Sequence, residues 1–528
     1  MEITSQELSI YSTHLVSSTL MRLIPSAQSL TRIFSRAFMS NSHNISLTPT
    51  EAHFCELLDD FSTHRVPPVE CRIAGGWVRD KLLALPSSDL DIALTISSGY
   101  TFAIEFASYL TSHGVAIGSV GKVAANPEQS KHLETGTTRI LGMECDFVGL
   151  RNETYSDSRI PQIEPGTPTQ DAFRRDLTIN ALFYNVHSRQ VEDFTGKGLP
   201  DLASRIARTP LPPLQTFRDD PLRVLRCIRF ASRFGLSIDD QVTEAMQNPQ
   251  VKTELQSKVS KERIGIEVTK MLKHDPLRAI ELIHQLDLHQ TIFVSTTSKE
   301  RGNSLKSAQI LAEVRNHLPV DELLWLAAAC SPFRDLTMQV KNKEVPVVSG
   351  VLSDGLKVGF FFVSQADTQL SNDVKNAIVN LFLHAPLLNP TLRSRSEIGM
   401  AMQRNQPWER ALTWATVVAI LPVWTGRLED QARGILNDFL EFRRRIVDLK
   451  LPESVSEEPL LNGNEVQTLL NIRPSPTIQA VRVDMNKWQL DNPGATKREC
   501  EEWLLRMWAS EQREKWEVKS PPAGKRKR

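Results

Sequence analysis

The sequence predicts an α+β protein, with an N-terminal α/β head on a small mixed sheet followed by an all-α remainder. Three observations carry this reading. From about residue 50 to 190, short apolar strands alternate with helical patterns; after about residue 200 strand signals become sparse; and 528 residues exceed what one hydrophobic core holds, since cores rarely grow beyond about 250–300 residues. Strands are expected at Val69 to Ala74, Leu90 to Ile96, Thr138 to Leu150 and Ala181 to Val186. A helix is expected over Val78 to Leu85. Gly118 to Gly136 reads as a polar loop; its Gly121-Lys122 is no P-loop, because Ala116 and Val123 stand where the first glycine and the hydroxyl residue should be. Farther on, Leu222 to Phe234, Ile264 to Leu272 and Leu277 to Leu288 have helical spacing. Leu451 to Pro459 reads as a linker.

Lys+Arg and Asp+Glu are both 62, so no global field advertises a polyanionic partner. The six cysteines lie far apart with no C-x-x-C pair, which argues against a zinc site and a disulfide framework. Ala411 to Trp424, the longest apolar stretch, is interrupted by Pro422 and is shorter than the ~20 residues a spanning helix needs. It reads as a buried helix, and no membrane role is expected. Between Glu7 and Glu51 there is no acidic residue, while Arg22, Arg32 and Arg36 sit among serines, the composition of a mitochondrial transit peptide. Starts at Met1, Met21 or Met39 and the basic end Lys525 to Arg528 suggest cytoplasmic and nuclear forms as well.

The chemistry begins at Gly75-Gly76-Trp77-Val78-Arg79-Asp80, followed by Asp89-Leu90-Asp91. In a strand, residues two apart share a face, so both carboxylates point the same way. Their repulsion is relieved by a divalent cation, at a phosphate site most often Mg²⁺. Gly75 and Gly76 let the backbone approach a polyphosphate before the helix. Asp146, on a second apolar strand, is a candidate third metal ligand, with Glu144 on the same face competing. In Arg174-Arg175-Asp176-Leu177-Thr178-Ile179-Asn180 the arginines can bind phosphate, and Asp176 or Asn180 can bond ribose hydroxyls. In Asp219-Asp220-Pro221-Leu222-Arg223, Pro221 suits a first helical turn with Asp219 or Asp220 near its N-cap. Asp220 and Arg223 share a face, and Arg226 and Arg229 continue the row. Cytosine and adenine both offer an amine beside an unprotonated ring nitrogen, so an acceptor beside a donor admits them and mismatches uracil and guanine. Such a pair discriminates by about 1–3 kcal/mol.

These segments, with Glu192 to Gly196 and Lys261 to Glu267, resemble the five ordered motifs of class II CCA-adding enzymes, the tRNA nucleotidyltransferases of the DNA polymerase β superfamily. Ser130 to Thr135 and Asp146 to Arg151 resemble the eukaryotic, especially fungal, branch. The resemblance implies a nucleotidyltransferase head whose Asp89 and Asp91 hold the metals. Gly76, Arg79, Arg175, Arg226 and Arg229 would hold the incoming nucleotide, and Asp220 with Arg223 would template the base. Glu192 to Gly196 would form a hinge, and Arg263 and Glu267 would brace neck helices. It further implies tRNA, CTP and ATP as partners, with no obligate protein partner. The expected divisions are a targeting segment (1–45), head (46–190), neck (191–275), body (276–450) and tRNA-binding tail (451–528). A poly(A) polymerase of the same superfamily and a catalytically silent tRNA-binding protein are the alternatives. The Gly118 to Gly136 loop is the candidate switch from C to A addition. Three departures from the family pattern stand out: Ala84 and Ser475 occupy positions where glycine is expected, and Asp219 replaces a glutamate.

Overall fold

The computed structural model describes residues 45–123, 134–155, 161–294, 302–357 and 371–517. Met1, Met21, Met39, the cluster Lys525 to Arg528, Ser130 to Leu133 and residues 124–133 of the expected polar loop lie outside the described residues. The chain divides into two compact units, Met1–Glu254 and Leu255–Arg528.

The first unit is built on a seven-stranded sheet. Its strands are β1 (Cys71–Ala74), β2 (Asp89–Leu94), β3 (Gly121–Val123), β4 (Thr135–Ile140) and β5 (Met143–Gly149). A separate hairpin, β6 (Arg151–Thr154) with β7 (Gln162–Pro165), precedes the last two sheet strands, β8 (Phe183–Asn185) and β9 (Gln190–Glu192). The order is β3-β4-β5-β2-β1-β8-β9. Only β2 and β5 pair in parallel; the other neighbours are antiparallel, so the sheet is mixed as expected. Helices α1 (Pro49–His64), α2 (Gly76–Leu82) and α3 (Gly99–Ser112) accompany the first strands. Phe54 and Phe61 of α1, Phe102 and Phe106 of α3 and Phe147 of β5 pack ring against ring. Then come α4 (Pro168–Phe173), α5 (Gly198–Ser204), α6 (Pro213–Asp219) and α7 (Leu222–Phe234).

Several expectations need correction. Thr138 to Leu150 is not one strand: Leu141 and Gly142, with φ of 50° and 83°, turn the chain between β4 and β5. Two positive φ values give the turn whose twist matches antiparallel strands. The expected Gly118 to Gly136 loop contains β3, which extends the sheet. The helix expected to reach Leu85 ends at Leu82, and Ala84 follows with φ 56°. Alanine thus holds the left-handed conformation for which glycine is the usual residue. Ser475, by contrast, is extended (φ −154°, ψ 163°), where lacking glycine costs nothing.

In the second unit, helices occupy Lys261–Leu272, Pro276–Gln285 and Trp408–Ile420. The last carries most of the longest apolar run and buries Leu412, Trp414 and Val417. Among the described residues no helix is long and apolar enough to cross a membrane. The all-α expectation is broken by a hairpin, Thr337–Val340 with Lys343–Pro346. The expected linker includes a short helix, Leu451–Ser454, with Leu451 fully buried. Helices Gly463–Leu470, Pro476–Asp491 and Lys497–Trp508 close around Val466, Val481, Cys500 and Leu504.

Candidate active site

Parallel pairing sets Asp89 beside Glu144 and Asp91 beside Asp146. Alternation buries Leu90, Ile92, Cys145 and Phe147 and leaves all four acids on the opposite, open face. Although Asp91 keeps contact with solvent, crowding desolvates its carboxyl and holds it above the usual carboxylate range; Arg175 opposes this rise and Asp89 adds to it. Asp146 is raised by desolvation and then by Asp91, Asp89 and Glu144. Glu144 is engaged by Arg139 at 3.1 Å. Among the described residues no three His, Cys, Asp or Glu side chains gather around one point, so the acids form an open face and no closed cage. That arrangement fits a hard divalent ion, which commonly takes one or two carboxylates and completes its shell with water and phosphate oxygens.

Gly75 connects β1 to α2 with φ 69°, and its N–H donates to the Leu182 carbonyl at 2.8 Å. That donor is therefore spent inside the protein, contrary to the expectation that both glycines offer N–H groups to phosphate. The absent side chain matters instead: a Cβ on Gly75 would lie 2.8 Å from Arg175 Nη1 and 3.3 Å from the Asn180 carbonyl. A Cβ on Gly76 would meet nothing closer than Arg79 Nη2 at 3.7 Å. Gly75→Ala is therefore expected to displace Arg175 and lower kcat/KM by about tenfold or more, whereas Gly76→Ala should cost less; steady-state incorporation rates compare them.

Arg175 donates through Nε and Nη2 to Asp171 Oδ1 (3.0 and 2.9 Å) and through Nη1 to the Asn180 carbonyl (3.2 Å). Burial works against the Asp171 charge, but Arg174 and Arg175 carry its carboxyl down to about 2. Arg79, expected to face the nucleotide, is only 3 % exposed. It donates to Asp80 (2.8 Å) and to the Asn180 side chain, and lies 5.0 and 4.5 Å from the ring centres of Phe230 and Phe234. Its place is thus a brace between α2 and α7.

Asp176 and Asn180, expected to reach ribose hydroxyls, are buried and bonded to each other at 3.0 Å. Asp176 also accepts from Arg226 Nε at 2.7 Å. Burial alone would raise the Asp176 carboxyl; Arg226 and Asn180 instead hold it well below the usual range.

Asp220 lies between α6 and α7, and its Oδ1 accepts from Leu222 N at 3.2 Å; Pro221, expected in the first turn, is itself the N-cap of α7, and no side chain caps that helix. Arg223 Nη2 donates to the Arg174 carbonyl at 2.6 Å. Arg223 and Arg226 thereby fasten α7 to the Arg174–Asp176 segment. Arg229 continues the row, its guanidinium 4.1 Å from the centre of the Phe230 ring. In the expected hinge, Glu192 accepts from Arg72 at 2.7 Å, while Asp193 accepts from Thr195 Oγ1 (2.7 Å) and Leu199 N (3.0 Å). In the second unit Arg263 and Glu267 share the helix Lys261–Leu272, with Glu267 buried.

Three side chains here escaped the sequence reading: Asp171, Glu153 and Tyr155. Asp171 stands three and four residues before Arg174 and Arg175, the spacing of helical ion pairs. Glu153 and Tyr155 follow Arg151 at intervals of two, a strand periodicity that places them together.

Residues 71–208 match the poly A polymerase head domain family. The chain is 36% identical to the mitochondrial CCA tRNA nucleotidyltransferase of Saccharomyces cerevisiae, over 91% of this chain and 97% of that one. It is 34% identical to the tRNA nucleotidyltransferase cca1 of Schizosaccharomyces pombe, over 87% and 96%. A crystal structure of the Bacillus stearothermophilus CCA-adding enzyme in complex with CTP has the same fold, with a TM-score of 0.61, 19% identity and coverage of 89% of this chain and all of that one. With full-length identity above a third and the ordered motifs in place, the chain belongs to the family of CCA-adding tRNA nucleotidyltransferases.

Proposed function

We propose that the protein is a CTP,ATP:tRNA nucleotidyltransferase that builds or repairs the 3′-terminal CCA of tRNA with amino-acid side chains as template. The observation that carries this reading is the pair of acidic strands, Asp91 beside Asp146, with Arg175 electrostatically coupled to Asp91, in a chain of this family. The tRNA 3′-hydroxyl attacks the α-phosphorus of the bound triphosphate and pyrophosphate leaves. Asp89 and Asp91 would hold divalent metal, Mg²⁺ by the hardness of the donors, with Asp146 as third acid because Arg139 already engages Glu144; when bound, the metal lowers the charge on attacking and leaving oxygens. The 3′-hydroxyl gives up its proton near Asp91 as the new bond forms. Arg175 neutralises triphosphate charge, and Arg226 and Arg229 extend that field along α7. Arg79, Asp176 and Asn180 hold the nucleotide-binding wall in shape from within. Asp220 accepts from the exocyclic amine of C or A, and Arg223 donates to the adjacent ring nitrogen. Positioning of this kind supplies most of the rate in phosphoryl-type transfers.

The head would span 46–190, the neck 191–275, the body 276–450 and a tRNA-holding tail 451–528. Two relatives are named as mitochondrial, those of Saccharomyces cerevisiae and Candida glabrata. They support a mitochondrial location, with the 1–45 segment as address; shorter products from Met21 or Met39, and Lys525 to Arg528, would serve cytoplasm and nucleus. Product length tests the reaction. A tRNA ending before CCA, supplied with CTP and ATP, should gain three nucleotides and stop. A growing A tail would instead identify a poly(A) polymerase, and binding without incorporation a silent tRNA-binding protein.

A further inference from the structure

Glu153 is a buried carboxylate on β6, with a side chain 5% exposed, surrounded by donors from three elements. Its Oε1 accepts from Arg151 Nε at 2.9 Å and from Arg174 Nη1 at 3.1 Å. Its Oε2 accepts from the Tyr155 hydroxyl at 2.8 Å and lies 3.9 Å from Arg223 Nη2. The tyrosine proton is thus committed to Glu153, which turns the lone pairs of the phenol oxygen toward Arg223 Nη2, 3.4 Å away. The Tyr155 ring also lies 5.9 Å from the Arg223 guanidinium carbon. Among the described residues both hydrogen bonds of that guanidinium use Nη2, one to the Arg174 carbonyl and one to Tyr155. The Nε and Nη1 donors remain for a base. A guanidinium is planar, so fixing one nitrogen on two acceptors fixes the direction of the others.

We infer that Tyr155, backed by Glu153, is a specificity-determining positioning residue: the relay Arg223 to Tyr155 to Glu153 sets the rotation at which Arg223 meets the ring nitrogen of C or A. The inference rests on the assignment of Arg223 as base reader. Chains of hydrogen bonds ending on a charge polarise one another, so the buried anion stiffens the relay. Loss of the phenol hydroxyl leaves the guanidinium one anchor about which to turn, and a turned guanidinium no longer penalises U or G. Neither residue touches the reacting phosphorus in this scheme, so the effect falls on selection more than on turnover.

The experiment uses the full-length chain and a tRNA ending before CCA, with kcat/KM measured for CTP and UTP on wild type, Tyr155→Phe, Glu153→Gln, Arg223→Ala and the double variant Tyr155→Phe/Arg223→Ala. Tyr155→Phe should lower the CTP-to-UTP selectivity ratio by about 3- to 10-fold, modest for a charged donor because the contact is long at 3.4 Å, with CTP turnover falling less. Glu153→Gln should move the ratio the same way. In the Arg223→Ala background Tyr155→Phe should change the ratio no further, which a general structural loss would not mimic. If Arg223→Ala collapses the ratio while both Tyr155→Phe and Glu153→Gln leave it at the wild-type value, the relay is wrong and the base reader stands. If Arg223→Ala also leaves it unchanged, the base reader fails and the relay fails with it.

Discussion

Asp89→Ala protein should bind tRNA with wild-type affinity yet incorporate nucleotide at least about a thousandfold more slowly. The magnitude follows because metal-assisted charge stabilisation is worth several kcal/mol and each 1.36 kcal/mol is tenfold in rate. Single-turnover incorporation and filter binding measure the two quantities. Unchanged incorporation would remove Asp89 from the metal site. Loss of fold would not explain the defect, and the sign of the electrostatics says why. Asp91 and Asp146 are both raised above their ordinary range, in part by Asp89. A carboxyl raised on folding contributes stability that is present below its unfolded pKa and lost as pH rises through the folded one. At neutral pH the charged acids therefore oppose folding. Removing Asp89 relieves them, so the Asp89→Ala melting temperature should equal or exceed that of wild type without metal. Added Mg²⁺ should raise the wild-type melting temperature, as any ligand of the native state does, and raise that of Asp89→Ala less. A variant destabilised in metal-free buffer would contradict this account.

Where local signals agreed with each other, the sequence foretold structure closely. Helix α7 runs over Leu222–Phe234 as expected because Pro221 opens it and Gly235, at φ 61°, closes it. The β2 alternation was legible for the same reason: its buried and open positions differ in chemistry at every step. The β4–β5 hairpin was not, since its turn begins with an apolar residue, Leu141, that continues the strand pattern. In the site, the shared face of Asp89 and Asp91 follows from periodicity alone. The placement of Asp146 beside Asp91 depends on strand register between segments fifty-five residues apart, which no local pattern encodes. Burial was equally hidden. Arg79, Asp176 and Asn180 have the chemistry of ligand binders, but the fold spends their polar atoms on one another and on α7. Glu153 was missed because its partners Arg174 and Arg223 lie 21 and 70 residues away, beyond any helical or strand spacing.

The second large effect concerns which nucleotide is chosen. Asp220→Ala should narrow the preference for CTP over UTP, and for ATP over GTP at the last position, by about 5- to 150-fold, the span of a 1–3 kcal/mol bidentate contact. Competition between labelled triphosphates on tRNAs ending before CCA and after CC measures both ratios. The two proposed base readers should not fail alike. Asp220, just ahead of the N-cap Pro221, bonds the N–H of Leu222 at the start of α7, so its loss removes one hydrogen bond worth about 0.5–1.5 kcal/mol of stability. Arg223, only 8% exposed, also satisfies the Arg174 carbonyl, and its removal leaves that acceptor without its charged donor. Arg223→Ala should therefore lose selectivity, stability and overall kcat/KM together, whereas Asp220→Ala loses mainly selectivity. Equal selectivity in Asp220→Ala and wild type would show that the base edge is read elsewhere, because no second acceptor in that position would be lost with it. A ratio that falls for CTP over UTP but not for ATP over GTP would mean that the two bases meet different side chains, so a single template serving both C and A requires the two ratios to fall together.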